Sequence, residues 1–195
     1  MILTKEEALK LLNEHVQNPR MIQHCLSSEA VMRALARRLG KDEDRWGLAG
    51  LLHDIDVEYT NADPLTHGLI GAQWLEDMGI DKDIVDAIRM HNEMAAQKPR
   101  TTVFEHALSA GETITGLINA TALVYPDKDI QLVKPKSIIK RMKEKAFAAS
   151  VKRENIMECE DIGLSLEEFI TIALEAMQAI PVSYTHLTLP TIYSV

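Results

Sequence analysis

Apolar residues recur at helical spacing through nearly the whole of the first 180 residues, and start and stop signals divide them into separate helices. Thr4 with Glu6 and Glu7 opens the first helix, which ends near Asn18-Pro19. A second begins around Arg20 and runs to Gly40, and a third follows Asp42. Residues 55–66 lose the period and contain Asn61, Asp63 and Pro64, so they read as a loop. A fourth helix is expected from about His67 to Met78, with His67, Ile70, Trp74 and Met78 on one face and Gly79 as the stop. Asp81 opens a fifth, and Thr101 or Thr102 caps a sixth. A basic helix over 136–145 and two further segments, over 155–161 and 165–179, complete the pattern. No convincing strand precedes residue 181. The expected fold is all-α, a single helical bundle over residues 1–180 with its core at about 20–120 and C-terminal helices over 136–180.

The apolar stripes are interrupted in a consistent way. His24 shares its stripe with Val31 and Leu35, and His53 follows Trp46, Ala49 and Leu52. His67 heads the fourth helix, His91 follows Ile84 and Ile88, and Glu112 lies between Leu108 and Thr115. Each of these groups costs several kcal/mol to bury without a partner. Any one of them alone reads as a hydrogen-bonded core residue. Five together, with Asp54 beside His53, read as ligands of a shared cation. Oxygen and nitrogen donors without thiolate suit Fe, Mn, Ni, Co or Zn. Cys25 and Cys159 form no CxxC motif and no disulfide framework, so a reducing cytoplasm is the expected setting.

The pattern His24, His53-Asp54 and Glu112 resembles the HD-domain superfamily of metal-dependent phosphohydrolases. The added His67-Gly68 and His91-Asn92 are similar to its two-metal members. The resemblance covers most of residues 20–120. It implies that His24, His53, Asp54 and position 112 ligate one divalent ion, and that Asp54 bridges to a second held by His67 and His91. The family usually carries aspartate where this chain has Glu112. Glutamate keeps the charge and reaches one methylene further.

The reaction implied is attack of metal-activated water on the phosphate ester of a small nucleotide or related metabolite. Asp54 has the central role. Asp56 and Glu58, in the following loop, are candidates for orienting a ligand or protonating the leaving group. No Ser-His or Cys-His arrangement offers a side-chain nucleophile. Lys136 and Lys140, from the densest basic run, are candidates for contacting the substrate phosphate, whereas Arg89 points away from the His91 face. Two other uses of such a site stay open: a non-catalytic regulatory module binding metal or nucleotide, and a di-iron oxygenase. A net charge of −8 and a pI near 5.4 argue against a nucleic-acid polymer or an anionic membrane surface as partner. No apolar run approaches the roughly 20 residues of a membrane span, and the N-terminus lacks the features of a signal peptide. Residues 181–195 contain no Asp, Glu, Lys or Arg and follow no helical period. They read as a translated adaptor stretch, a non-native tail that carries no function.

Overall fold

The computed structural model describes residues 1–181, so the reading of the tail falls, beyond Pro181, outside the described residues. Within them the chain is all-α. Its helices are α1 (Lys5–His15), α2 (Pro19–Leu39), α3 (Glu43–Leu52), α4 (Leu69–Asp77), α5 (Lys82–Met90), α6 (Glu93–Ala96), α7 (Val103–Leu123), α8 (Pro135–Lys143), α9 (Arg153–Met157) and α10 (Leu166–Gln178). A 3-10 turn at Ile130–Leu132 links α7 to α8. Most of the starts are those the sequence signals. Thr4 and Glu7 form a capping box on α1, and Thr102 and Glu105 form one on α7. The side chains of Asn18, Asp42 and Ser165 cap α2, α3 and α10.

The long helix α2 is the axis of the bundle, packed on α3, α7 and α10, while α4 pairs with α5 and α9 lies on α7. One continuous core joins Leu12 of α1 and Met32 and Leu35 of α2. It continues through Leu51 and Leu52 of α3, Ile84 and Ile88 of α5, Leu108 of α7 and Phe169 of α10. At the α2–α3 crossing the backbones come close. A methyl on Gly50 would stand 2.6 Å from the Ser28 carbonyl oxygen and 2.9 Å from Met32 Cγ. Only a residue without a side chain fits there. Glu29 on α2 is buried with both oxygens paired, to Arg33 Nε at 2.9 Å and Lys5 Nζ at 2.9 Å, which ties α1 to α2.

Two expectations need correction. The fourth helix starts at Leu69 rather than His67, because Gly68 takes φ +88° and breaks the helical path. Its buried face is Gly71, Ala72 and Leu75, while Met78 is exposed and Ile70 and Trp74 are only half-buried. The short α6, between His91 and Lys98-Pro99, carries too few residues to show a period. No helix among the described residues is long and apolar enough to cross a membrane.

The Gly50 contact sets a test of the fold. Gly50→Ala should cost about 1–3 kcal/mol of stability, the usual penalty for overpacking where the obstacle is backbone. Urea denaturation measures it, and an unchanged midpoint would show that the two helices can part at no cost.

Candidate metal centre

Two of the histidines sit at helix ends by the same local device. His53 caps the C-terminus of α3, and its Nδ1 donates to the Gly50 carbonyl at 2.9 Å. His91 caps α5, and its Nδ1 donates to the Ile88 carbonyl at 2.6 Å. In each case the ring satisfies one of the carbonyls that a helix C-terminus leaves without an intrahelical partner. His24 lies inside α2 and is held from α7. The Thr115 hydroxyl donates to the Glu112 carbonyl at 2.7 Å, so its oxygen accepts from His24 Nδ1 at 2.9 Å. His67 lies in the turn before α4, and its Nδ1 donates to Asp56 Oδ1 at 2.7 Å.

These four bonds decide the tautomers. Each Nδ1 faces an acceptor, so each carries the proton, and each neutral ring has its lone pair on Nε2. The four Nε2 atoms converge. His24 Nε2 is 3.0 Å from His53 Nε2, and His67 Nε2 is 3.2 Å from His91 Nε2. Asp54 lies among them, with Oδ1 at 3.0 Å from His67, 3.3 Å from His53 and 3.5 Å from His91, and Oδ2 at 3.5 Å from His24. Lone pairs facing one another around a carboxylate repel unless a proton or a metal ion lies between them.

The spacing fits a metal ion. Ligand atoms at about 2.0–2.2 Å from a cation lie about 3.0 Å apart in an octahedron and about 3.4 Å apart in a tetrahedron. The separations around Asp54 fall in that range. The donors form two sets, His24 with His53 and Glu112, and Asp54 with His67 and His91. Asp54 touches both, with Oδ2 beside His24 of the first set and Oδ1 beside His53 of the first and His67 and His91 of the second. Glu112 stands a little apart, with Oε2 at 3.8 Å from His24 Nε2 and Oε1 accepting from the Thr113 hydroxyl. Its carboxylate still falls in the same set as His24 and His53.

The electrostatics agree with this division. Burial drives the His53 ring down to about 3, with only partial compensation from Asp54, so it stays a neutral donor at any ordinary pH. Burial alone would raise Asp54, but the surrounding imidazoles, His53 first, hold it well below the usual carboxylate range. Burial also works against a charged His67, yet its bonds to Asp54 and Asp56 outweigh that and push the ring up to about 10. With protons alone, His67 therefore keeps a positive charge between two carboxylates. A bound cation would take the place of that proton. Glu112 moves the other way, raised by burial despite its His24 neighbour.

Asp56 is fully buried. Its Oδ1 holds His67, and its Oδ2 accepts from the amides of Gly68 at 2.8 Å and Gly71 at 2.7 Å. Both oxygens are used in aiming the ring, which makes Asp56 a positioning residue rather than a proton donor. Gly68 is required beside it, since a methyl there would stand 2.8 Å from His91 Cε1. Glu58 lies elsewhere. It accepts from the amides of Gln17 at 2.9 Å and Asn18 at 2.6 Å, which fastens the α1–α2 turn, so the expected role at the metal site is corrected.

His24, Asp54, His67, His91 and Glu112 line an open cleft of about 360 Å³, with His53 buried behind them. Lys136 and Lys140 do not line it. Lys140 borders a different groove with Tyr125 and Ser137 and lies 3.8 Å from Glu144, because α8 packs on the far stretch of α7. Arg89 is paired with Glu76 and Asp86, away from the centre. Among the described residues, the Lys or Arg that does line the cleft is Lys152. Nothing in its local sequence distinguishes it from the other lysines of that region.

The family model for the HD domain matches residues 21–132, a stretch that contains every donor of the centre. Over 96 residues the chain is 34% identical to Ribonuclease Y of Nitratidesulfovibrio vulgaris, covering 49% of this chain and 18% of that protein. It is 32% identical over 108 residues to Ribonuclease Y of Oleidesulfovibrio alaskensis, covering 55% of this chain and 20% of that one. The chain thus spans about a fifth of the length of these curated relatives.

Asp56 sets the test for this centre. In Asp56→Asn an amide nitrogen would face the Gly68 and Gly71 amides or the His67 ring, and His67 would lose its aim. Manganese affinity of the His67/His91 set should fall about 10–100-fold while the other set is retained. Calorimetric titration would read this as loss of one class of sites. Equal affinity in both sets would remove the positioning role. Glu58→Ala should leave metal binding as it is.

Proposed function

The chain belongs to the HD domain family, a superfamily of metal-dependent phosphohydrolases, and on that premise we propose that it hydrolyses a phosphate ester of a small nucleotide or related metabolite at this centre. The observation that carries the reading is the convergence of four Nε2 lone pairs on Asp54 at the cleft. Two divalent ions, drawn from Fe, Mn, Ni, Co or Zn, would be held by His24, His53 and Glu112 on one side and by His67 and His91 on the other, with Asp54 shared. Bound there, such ions supply Lewis acidity toward water and toward the phosphoryl oxygens.

The chain's own residues supply the rest. His53 stays neutral, so its donor atom is available without losing a proton first. Asp56 fixes the His67 ring, and Thr115 fixes His24, so the site is ordered before substrate arrives. Asp54 and Glu112 bring negative charge that offsets the cations. The open cleft admits an ester whose phosphate reaches the floor while its leaving group stays toward solvent.

A small ester suits the charge of the cleft. Lys152 is the one Lys or Arg among the described residues lining it, and the basic side chains of α8 border another groove. A nucleic-acid polymer normally needs a longer basic track. A second reading, cleavage of an RNA phosphodiester, is favoured by one observation, the similarity to Ribonuclease Y.

Elemental analysis of purified protein should find bound transition metal, and His53→Ala should lose it together with activity. Phosphate release from nucleotides and sugar phosphates, run beside a labelled short RNA, separates the two readings. Release from the small esters with the RNA intact supports the first, and the reverse supports the second. Bound metal without turnover of either would overturn both.

A further inference from the structure

One wall of the cleft comes from residues beyond the stretch that the family model matches. Ser150, Val151, Lys152 and Asn155 line it, next to Thr113 and Gly116 of α7. This wall is held more firmly than an ordinary connecting loop. The Arg153 guanidinium gathers four backbone carbonyls, donating through Nη1 to Ala148 at 2.7 Å and Val151 at 2.8 Å. Through Nη2 it donates to Phe147 at 2.5 Å and Arg141 at 3.3 Å. A planar fork of donors suits such a cluster of carbonyls, two of which, those of Ala148 and Arg141, also accept from the Val151 and Glu144 amides. The turn includes Ala148 at φ +46°, a conformation that a non-glycine residue adopts only under constraint.

The wall is also fastened to the metal centre at two points. Val151 rests on α7 one turn beyond Glu112, where a methyl on Gly116 would stand 3.3 Å from Val151 Cγ2. At the other end of α9, Glu158 accepts from Arg100 Nη1 at 2.8 Å, His106 Nδ1 at 2.8 Å and the Ser109 hydroxyl at 3.1 Å. The same buried Arg100 donates through Nη2 to the His91 carbonyl at 2.8 Å. The segment that carries Lys152 is therefore fixed relative to both halves of the donor cluster.

Lys152 is exposed, lines the cleft, and makes no ion pair with a described residue. Once cations neutralise Asp54 and Glu112, the group in the cleft that complements an ammonium is an anion. We propose that residues 150–155 form the substrate-recognition wall, and that Lys152 binds the phosphate of a phosphate monoester. A monoester dianion has an oxygen to offer Lys152 in addition to those facing the donor cluster, which a diester monoanion lacks. The choice of substrate rests on the phosphohydrolase reading, while the anion site does not.

Inorganic phosphate is the probe, titrated by calorimetry into the wild-type protein with and without manganese. Lys152→Ala should weaken phosphate binding about tenfold, the usual loss for a charge-assisted hydrogen bond. Lys152→Arg should restore it to within about threefold, and Lys140→Ala, outside the cleft, should leave it unchanged. Metal content should be the same in all four proteins. In assays of nucleoside monophosphates, Lys152→Ala should act mainly on KM. Wild-type affinity in Lys152→Ala, or no phosphate binding by the wild type, overturns the proposal. Phosphate bound through Lys152 with no ester hydrolysed would instead overturn the hydrolase reading and leave the anion site standing.

Discussion

Four hydrogen bonds from histidine Nδ1 atoms organise the functional end of this protein. Each donates to an acceptor that the surrounding fold has already placed: two helix-end carbonyls, a threonine oxygen and a buried carboxylate. Each bond is ordinary, with a net value of about 1 kcal/mol or somewhat more where the acceptor is charged. Their joint effect is larger than that, because they leave four lone pairs aimed at one carboxylate. Such an arrangement is unfavourable in a bare protein and favourable around a cation. Stability of the folded chain and affinity for metal are therefore linked, as they are wherever ligand atoms are held together before the ion arrives.

The two halves of the centre are ordered by different means. His24, His53 and Glu112 come from α2, from the end of α3 and from α7, elements that pack closely around the bundle axis. The rigidity of that half follows from the core. His67 comes from a stretch of consecutive turns, where backbone alone would not hold a ring in place. Asp56 supplies what the core does not, by joining His67 to the amides of Gly68 and Gly71. His91 gains its order from Ile88 and from Arg100, which also connects it to the C-terminal helices.

Much of this was legible before any coordinates. Thr4, Asp42, Thr102 and Ser165 announced their helix starts, because capping depends on residues within one turn. The inward positions of His24, His53, His91 and Glu112 followed from the period of the apolar residues beside them. The fourth helix was harder. Its apolar residues fit more than one stripe, and the packing of α4 on α5 selected Gly71, Ala72 and Leu75. Glu58 and Asp56 are two residues apart in one acidic loop, and nothing local separates them. The turns of that loop send one to the α1–α2 connection and the other beneath His67. Lys136, Lys140 and Lys152 are likewise equivalent as letters, and the path of the chain between α8 and α9 distinguishes them.

The amino-acid sequence by itself determined the helices, their caps and the inward placement of the ionisable groups, because these depend on neighbours within a few residues. The residues so placed carry the resemblance to the HD domain family, and the match of the family model to residues 21–132 shows the membership. Tertiary structure decided which nitrogen of each ring faces the centre, which acidic residue positions His67, and which lysine borders the cleft. Those depend on partners such as Thr115, Gly71 and Arg153, reached across the fold or around a turn. A hydrogen bond is directional over about 3 Å, so no periodicity in the sequence records it until the helices have packed.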